Sequence, residues 1–156
     1  MANLSYNLKE MKIVAQNRRA RYDYDIVDTL EAGISLTGQE VKSCRMGNVN
    51  LGGSYVSLIS GKPVIKGMKI AKYNFASTVE DYQPGRDRVL LMKKREVEKL
   101  TSTLAEKGVS LIPLEVKAGK YIKVTLGLGK GRKRYDKRQN KKEKDIKRRL
   151  KEGREV

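Results

Sequence analysis

The sequence has no histidine and no tryptophan, one phenylalanine, three prolines and a single cysteine in 156 residues. Without imidazole there is no histidine general base, no Ser–His–Asp triad and no histidine-ligated metal. The lone thiol, Cys44, cannot close an internal disulfide, which fits a reducing compartment. No apolar run approaches the ~20 residues that a membrane-spanning helix needs. The segment Met1–Val14 lacks the charged-then-apolar layout of a secretory signal. The expectation is a soluble, cytoplasmic, monomeric chain, long enough to bury one core without disulfide or metal staples.

What is abundant is positive charge. Lys and Arg number 35 against 18 Asp and Glu, a net of +17. Such a field attracts polyanions, and nucleic acid is the usual one. The charge is uneven: residues 129–156 hold 14 basic and five acidic side chains, a net of +9 that leaves +8 for the preceding 128 residues. From Lys130 onward the large apolar residues are only Tyr135, Ile146, Leu150 and Val156. That segment cannot bury enough surface to offset its ordering entropy. A tail disordered when free is expected, and its helix formers from Lys137 to Lys151 suit a helix that forms against phosphate.

Residues 1–128 read as the folded body. Tyr22–Leu36 has strand composition, as do Tyr55–Ile59 and Val64–Tyr73, the last bent at Gly67. Val109–Leu114 and Tyr121–Leu128 read as a hairpin around the turn Lys117–Lys120. Thr37-Gly38-Gln39-Glu40 has the capping-box pattern and predicts a helix to about Met46, with Val41 and Cys44 on one face and Lys42 and Arg45 on another. A second helix is predicted over Lys93–Lys107, with Val97, Leu100 and Leu104 buried and Gly108 as its stop. The expected fold is mainly β (β-rich α+β), an antiparallel barrel of the oligonucleotide-binding (OB) kind with flanking short helices. An open α+β sheet is the rival.

Few residues suit catalysis. Cys44 falls on the apolar side of a short helix and reads as a packed thiol. Glu31 and Glu40 show no metal-ligand spacing. Gly127–Gly131 lacks the spacing and hydroxyl of a phosphate loop and reads as a flexible hinge between body and tail. No cofactor is expected, and an enzyme is the last of the readings.

Other features suit RNA. Arg18, Arg19 and Arg21 place three guanidiniums beside Tyr22 and Tyr24; arginines clamp phosphates and tyrosines stack on unpaired bases. Tyr24 is expected to pack inward and the arginines to bind. Glu31 either accepts from base edges or pairs with a neighbouring arginine, and composition favours the pairing. In Lys130, Arg132, Lys133, Arg134, Tyr135, Lys137 and Arg138, seven of nine consecutive residues are basic or tyrosine, which favours binding over mere solubilisation.

Several strings occur in order: Asn17-Arg18-Arg19-Ala20-Arg21, Glu31-Ala32-Gly33-Ile34, Gly38–Ser43, Leu90–Glu96 and Gly129–Arg138. Together they resemble the small protein B (SmpB) family, bacterial partners of transfer-messenger RNA, from about Asn17 to the C-terminus. The resemblance implies an OB-fold barrel that binds the tRNA-like domain of that RNA and delivers it to stalled ribosomes. The tail then enters the vacant mRNA channel as a helix, and the stalled peptide is tagged. It implies RNA contacts at Asn17, Glu31 and Leu91, although composition reads Leu91 as core. It assigns Asp136, Lys137 and Arg138 to accommodation on the ribosome. With Lys42 and Arg45 on the outward face of their helix, the expected RNA surface is Asn17, Arg18, Arg19, Arg21, Tyr22, Glu31, Lys42, Arg45 and Leu91. The ribosome-contacting tail is Lys130–Arg138 with Ile146 and Leu150. Tyr22 and Tyr135 stand where the family often has histidine, and Val89 where a basic residue is common. Other readings are a ribosomal or ribosome-assembly protein that grips rRNA, and a binder of single-stranded DNA.

Overall fold

A computed structural model describes residues 11–58, 61–73, 82–106, 108–131 and 144–148. In chain order the elements are β1 (Lys12–Gln16), α1 (Arg18–Asp23), β2 (Tyr24–Ile34), α2 (Gly38–Arg45), β3 (Val49–Asn50), β4 (Tyr55–Ser57), β5 (Val64–Lys66), β6 (Lys69–Ile70), β7 (Arg88–Leu91), α3 (Lys94–Leu104), β8 (Val109–Ala118) and β9 (Ile122–Gly131). Residues 144–148 are helical.

The fold is mainly antiparallel sheet with short helices. Seven strands run in the order β1-β8-β9-β2-β7-β5-β4, and β3 pairs with β6 apart from them. Among the described residues the hydrogen bonding is an open run that ends at β1 and β4, so it does not close the expected barrel. The sheet nevertheless curls until Cα atoms of β4 come within 8 Å of β8. Strand alternation explains the core: Ile122, Val124, Leu126 and Leu128 of β9 point inward and meet Leu111 and Val116 of β8, Ile65, Met68, Ile70 and Leu90.

The sequence reading began the second strand two residues early. Arg18–Asp23 is a helix because the Asn17 side chain caps it, accepting from the Ala20 amide at 3.2 Å. Arg19 reaches Asp23 one turn on at 3.3 Å. Ala20, buried, lies with Ile112 and Leu114 on the outer side of the sheet and forms a small second core with Tyr24 and Ile26. The capping box is formed as expected, with Thr37 Oγ1 accepting from Glu40 N at 3.3 Å and Glu40 Oε1 accepting from Thr37 N at 2.9 Å. The helix expected over Lys93–Lys107 is the shorter α3, which buries Val97 and Leu100.

The glycine run is not a hinge. Strand β9 continues through it to Gly131, and Gly127 and Gly129 are buried. A Cβ on Gly127 would stand 2.8 Å from Leu114 Cδ1, and one on Gly129 would stand 2.8 Å from Tyr24 Cβ. These bare positions let α1 and the start of β2 lie against the sheet. The body therefore extends to Gly131, beyond the expected boundary at Leu128.

A buried ion pair ties α2 to β7. Arg88 and Glu40 are both buried, and Arg88 Nε donates to Glu40 Oε2 at 2.6 Å. Arg88 also donates to the Met68 carbonyl at 2.8 Å and to the Pro84 carbonyl at 2.8 Å, while Arg86 adds a second guanidinium to the same carboxylate.

Candidate nucleic-acid interface

The predicted RNA residues fall at two ends of β2, separated by about 20–25 Å of strand at ~3.3 Å per residue. At one end stand α1 and Tyr24, at the other Glu31 and Gly33. Strand pairing assigns the neighbours of each end.

At the Glu31 end, two rows cross the sheet. Register places Lys117 opposite Lys123, Lys123 opposite Gly33, and Gly33 opposite Leu91. The adjacent row is Glu115, Thr125 and Glu31. Because Gly33 has no side chain, Leu91 lies across it, its Cβ 3.3 Å from where a Gly33 Cβ would be. Leu91 is 60% exposed, so it belongs to the surface, contrary to its composition. Glu31 is also exposed and pairs with Lys117 Nζ at 3.3 Å, a lysine rather than the arginine expected.

Beside this row is a pocket of about 270 Å³ lined by Leu36, Val41, Leu91, Tyr121 and Lys123 among others. Tyr121 is 67% exposed, with Lys120 Nζ 5.7 Å from its ring centre. Arg45 reaches the same turn, Nη2 donating to the Gly119 carbonyl at 3.3 Å and to the Lys120 carbonyl at 3.4 Å. Lys42, one turn earlier on α2, lies 5.6 Å from the Tyr73 ring centre. Lys117, Lys123 and Tyr121 escaped the sequence reading. The alternation of β9, with Val124 and Leu126 inward, was the signal that turns Lys123 and Thr125 outward.

At the other end, Arg18, Arg19 and Arg21 are exposed on α1. Arg19 lies over the Tyr22 ring, 5.5 Å from its centre. Tyr24 is half-buried rather than fully inward. Its strand partner is Gly131, and the next pair is Asp25 with exposed Lys130, so the chain leaves β9 for the tail beside the arginines. Asn17 is buried here with its amide engaged: Nδ2 donates to the Pro113 carbonyl at 2.9 Å and to the Leu51 carbonyl at 3.2 Å. Of the tail residues, Ile146 is helical and 42% exposed. Arg132, Lys133, Arg134, Tyr135, Asp136, Lys137, Arg138 and Leu150 lie outside the described residues.

Glu40 and Cys44, both buried on α2, have their titration set by the interior. Burial would raise the Glu40 carboxyl, but hydrogen bonds from Arg86, the Thr37 amide and Arg88 outweigh it and hold the group below its ordinary value. Burial pushes the Cys44 thiol up to about 12, which leaves it protonated and unreactive at neutral pH. No helix among the described residues is long and apolar enough to cross a membrane.

The family model described as SmpB protein matches residues 14–155 of this chain. The chain belongs to the SmpB family. Its relatives include proteins named SsrA-binding protein. That of Acetivibrio thermocellus is 47% identical over 151 residues, 93% of this chain and 97% of its own. Those of Lactobacillus acidophilus and Prochlorococcus marinus are 44% and 45% identical over 144 and 148 residues, 91% and 93% of this chain and 94% and 90% of their own. Among solved structures, a chain from "tmRNA-SmpB: a journey to the center of the bacterial ribosome" is similar, with a TM-score of 0.65 and 40% identity over 78% of this chain and 85% of that one. The SmpB family model takes in nearly the whole tail as well as the sheet.

Proposed function

We propose that this protein binds the tRNA-like domain of transfer-messenger RNA (SsrA) and delivers it to stalled ribosomes for trans-translation, where the stalled peptide is tagged. It works in the cytoplasm as a binding protein, not an enzyme. The observation that carries this reading is its likeness to SsrA-binding proteins at 44–47% identity over more than nine-tenths of the chain.

In this reading the two ends of β2 do different work. The curled sheet acts as an OB-like barrel, and its Glu31–Leu91 end receives transfer-messenger RNA. There Lys117, Lys123 and Arg45 neutralise phosphate, Glu31 accepts from base edges, and Leu91 and Tyr121 supply contact to base faces. The α1 end, where the tail leaves, faces the ribosome. Asn17 supports this end by holding α1 in place, since its amide is already occupied within the protein.

The tail, helical over residues 144–148, enters the empty mRNA channel and extends that helix as phosphate neutralises its charge. The helical residues 144–148 suit that transition. Tyr22 and Tyr135 each supply a flat ring able to stack on a base.

The test is capture of RNA by the full-length protein from a bacterial lysate, followed by sequencing. Enrichment of transfer-messenger RNA is expected. Recovery of bulk ribosomal RNA or DNA without it would overturn the reading.

A further inference from the structure

An open pocket of about 390 Å³ lies where α1, β4 with the loop before it, and the end of α3 meet β8, and its Tyr55 wall has no role in the sites assigned above. Tyr55 stands in its wall and is 51% exposed, although its neighbour Val56 is buried. Arg19 and Tyr24 also line it, with Leu104 and Ile112 as apolar lining. The Arg19 side chain is largely exposed, with Nε 3.3 Å from the Asp23 carboxylate and the guanidinium 5.5 Å from the centre of the Tyr22 ring. A guanidinium offers several planar N–H donors.

The volume lies at the small end of the range for ligand pockets, roughly 300–1,000 Å³. It suits one nucleotide and is too small for a paired duplex. The lining combines an exposed aromatic ring with a guanidinium donor, the combination that reads a splayed-out base by stacking and by hydrogen bonds to its edge. Further cations stand on α1 and on β5, the strand paired with β4. Arg18 and Arg21 are exposed on α1, and Lys66 is the strand partner of Tyr55.

We infer that this pocket holds a single unpaired RNA nucleotide, its base against Tyr55 and its edge met by Arg19. The inference rests on the RNA-binding function proposed above and adds a second, base-specific site at the end of β2 far from Glu31. An RNA nucleotide can come from transfer-messenger RNA or from the ribosome, and the chemistry of the pocket is the same for both.

The experiment is ultraviolet crosslinking of the full-length protein in two separate complexes, one with transfer-messenger RNA and one with stalled ribosomes. Each is followed by mass spectrometry of the adducted peptide and sequencing of the crosslinked RNA. Affinities of Tyr55→Ala and Tyr55→Phe are measured in both complexes. The expected result is a nucleotide adduct on the peptide containing Tyr55 in at least one complex, which identifies the source. Tyr55→Ala then loses the adduct and weakens that complex about 10-fold, within the usual range for one stacked base, while Tyr55→Phe keeps both. Tyr55 is half out of the protein, so circular dichroism of both variants should match wild type. Wild-type affinity of Tyr55→Ala in both complexes overturns the pocket. Failure of the wild-type chain to bind transfer-messenger RNA instead overturns the proposed function, and an adduct from ribosomal RNA alone would then still support the pocket.

Discussion

Arg88 Nε donates to Glu40 Oε2 at 2.6 Å where neither side chain reaches solvent. The pair joins the helix after β2 to the strand that carries Leu91. Arg88 spends its other donors on the carbonyls of Met68, Pro84 and Arg86, so its charge is surrounded by acceptors. Removing one partner leaves the other buried and uncompensated, which typically costs about 3–5 kcal/mol. Glu40→Ala is expected to lose stability on that scale, measured by urea unfolding at neutral pH.

The same pair sets an acid limit. The Glu40 carboxyl is held below its ordinary value of 4.5, so its ionised form is favoured by folding. That stabilisation is present above the unfolded-state value and is lost as pH falls through the lowered folded value. Wild-type unfolding free energy should therefore fall more steeply below pH 4.5 than that of Glu40→Gln. Parallel curves for the two proteins would remove Glu40 as a source of acid sensitivity.

Gly129 faces Tyr24 at a separation that leaves no room for a methyl group. Gly129→Ala should destabilise the body by about 1–3 kcal/mol through overpacking. Gly131→Ala, which meets nothing within 4 Å, should cost much less. Thermal unfolding of the two variants separates a packed strand from a flexible linker: equal, small effects at both positions would favour the linker.

Much of this fold is legible in the sequence because its signals are local. The capping box at Thr37 and Glu40, the apolar stripe of Val97 and Leu100, and the β8–β9 hairpin each depend on neighbours a few residues away. The misses depend on distant ones. Gly127 and Gly129 read as a hinge because nothing nearby reveals Leu114 and Tyr24 above them. The short helix α1 was not read as an element, its last two residues being assigned to the strand, and its Asn17 cap also bonds to Leu51 and Pro113, far along the chain. Arg88 has the composition of a surface residue, yet its burial requires Glu40, 48 positions earlier. Leu91 is the reverse case, an apolar residue left exposed because Gly33 offers it a surface and no cover. At the interface, the arginine cluster and Glu31 were readable as residues, but their separation to opposite ends of β2 was not.

Glu31 and Leu91 give a discriminating pair of substitutions. Glu31→Ala makes the protein more positive, so charge alone would tighten RNA binding. Weaker binding to transfer-messenger RNA is expected instead, because an acceptor for base edges is lost. Leu91→Ala should weaken binding about 5- to 10-fold through lost apolar contact. Its effect on stability should stay within ~0.5 kcal/mol, because the side chain is exposed. Gel-shift titrations beside unfolding curves measure both, and unchanged or tighter binding by both variants would move the RNA surface elsewhere.

Binding should also depend steeply on salt. The two ends of β2 carry many cations, and each neutralised phosphate releases counterions. Between about 50 and 200 mM salt the affinity should fall by roughly 10³-fold or more if six or more phosphates are contacted. A titration that stays flat would show that charge neutralisation is not what holds the RNA.

The division of labour between body and tail is tested most directly by truncation. The cut belongs after Gly131, since a cut after Leu128 would remove residues paired to both β2 and β8. The measurement is twofold: affinity of the truncated protein for transfer-messenger RNA, and peptide tagging on ribosomes stalled without a codon. The expected result is a folded protein that still binds the RNA through its Glu31–Leu91 end but supports no tagging, with alanine at Asp136, Lys137 and Arg138 reproducing part of that loss. Full tagging by the truncated protein would contradict a role for the tail on the ribosome.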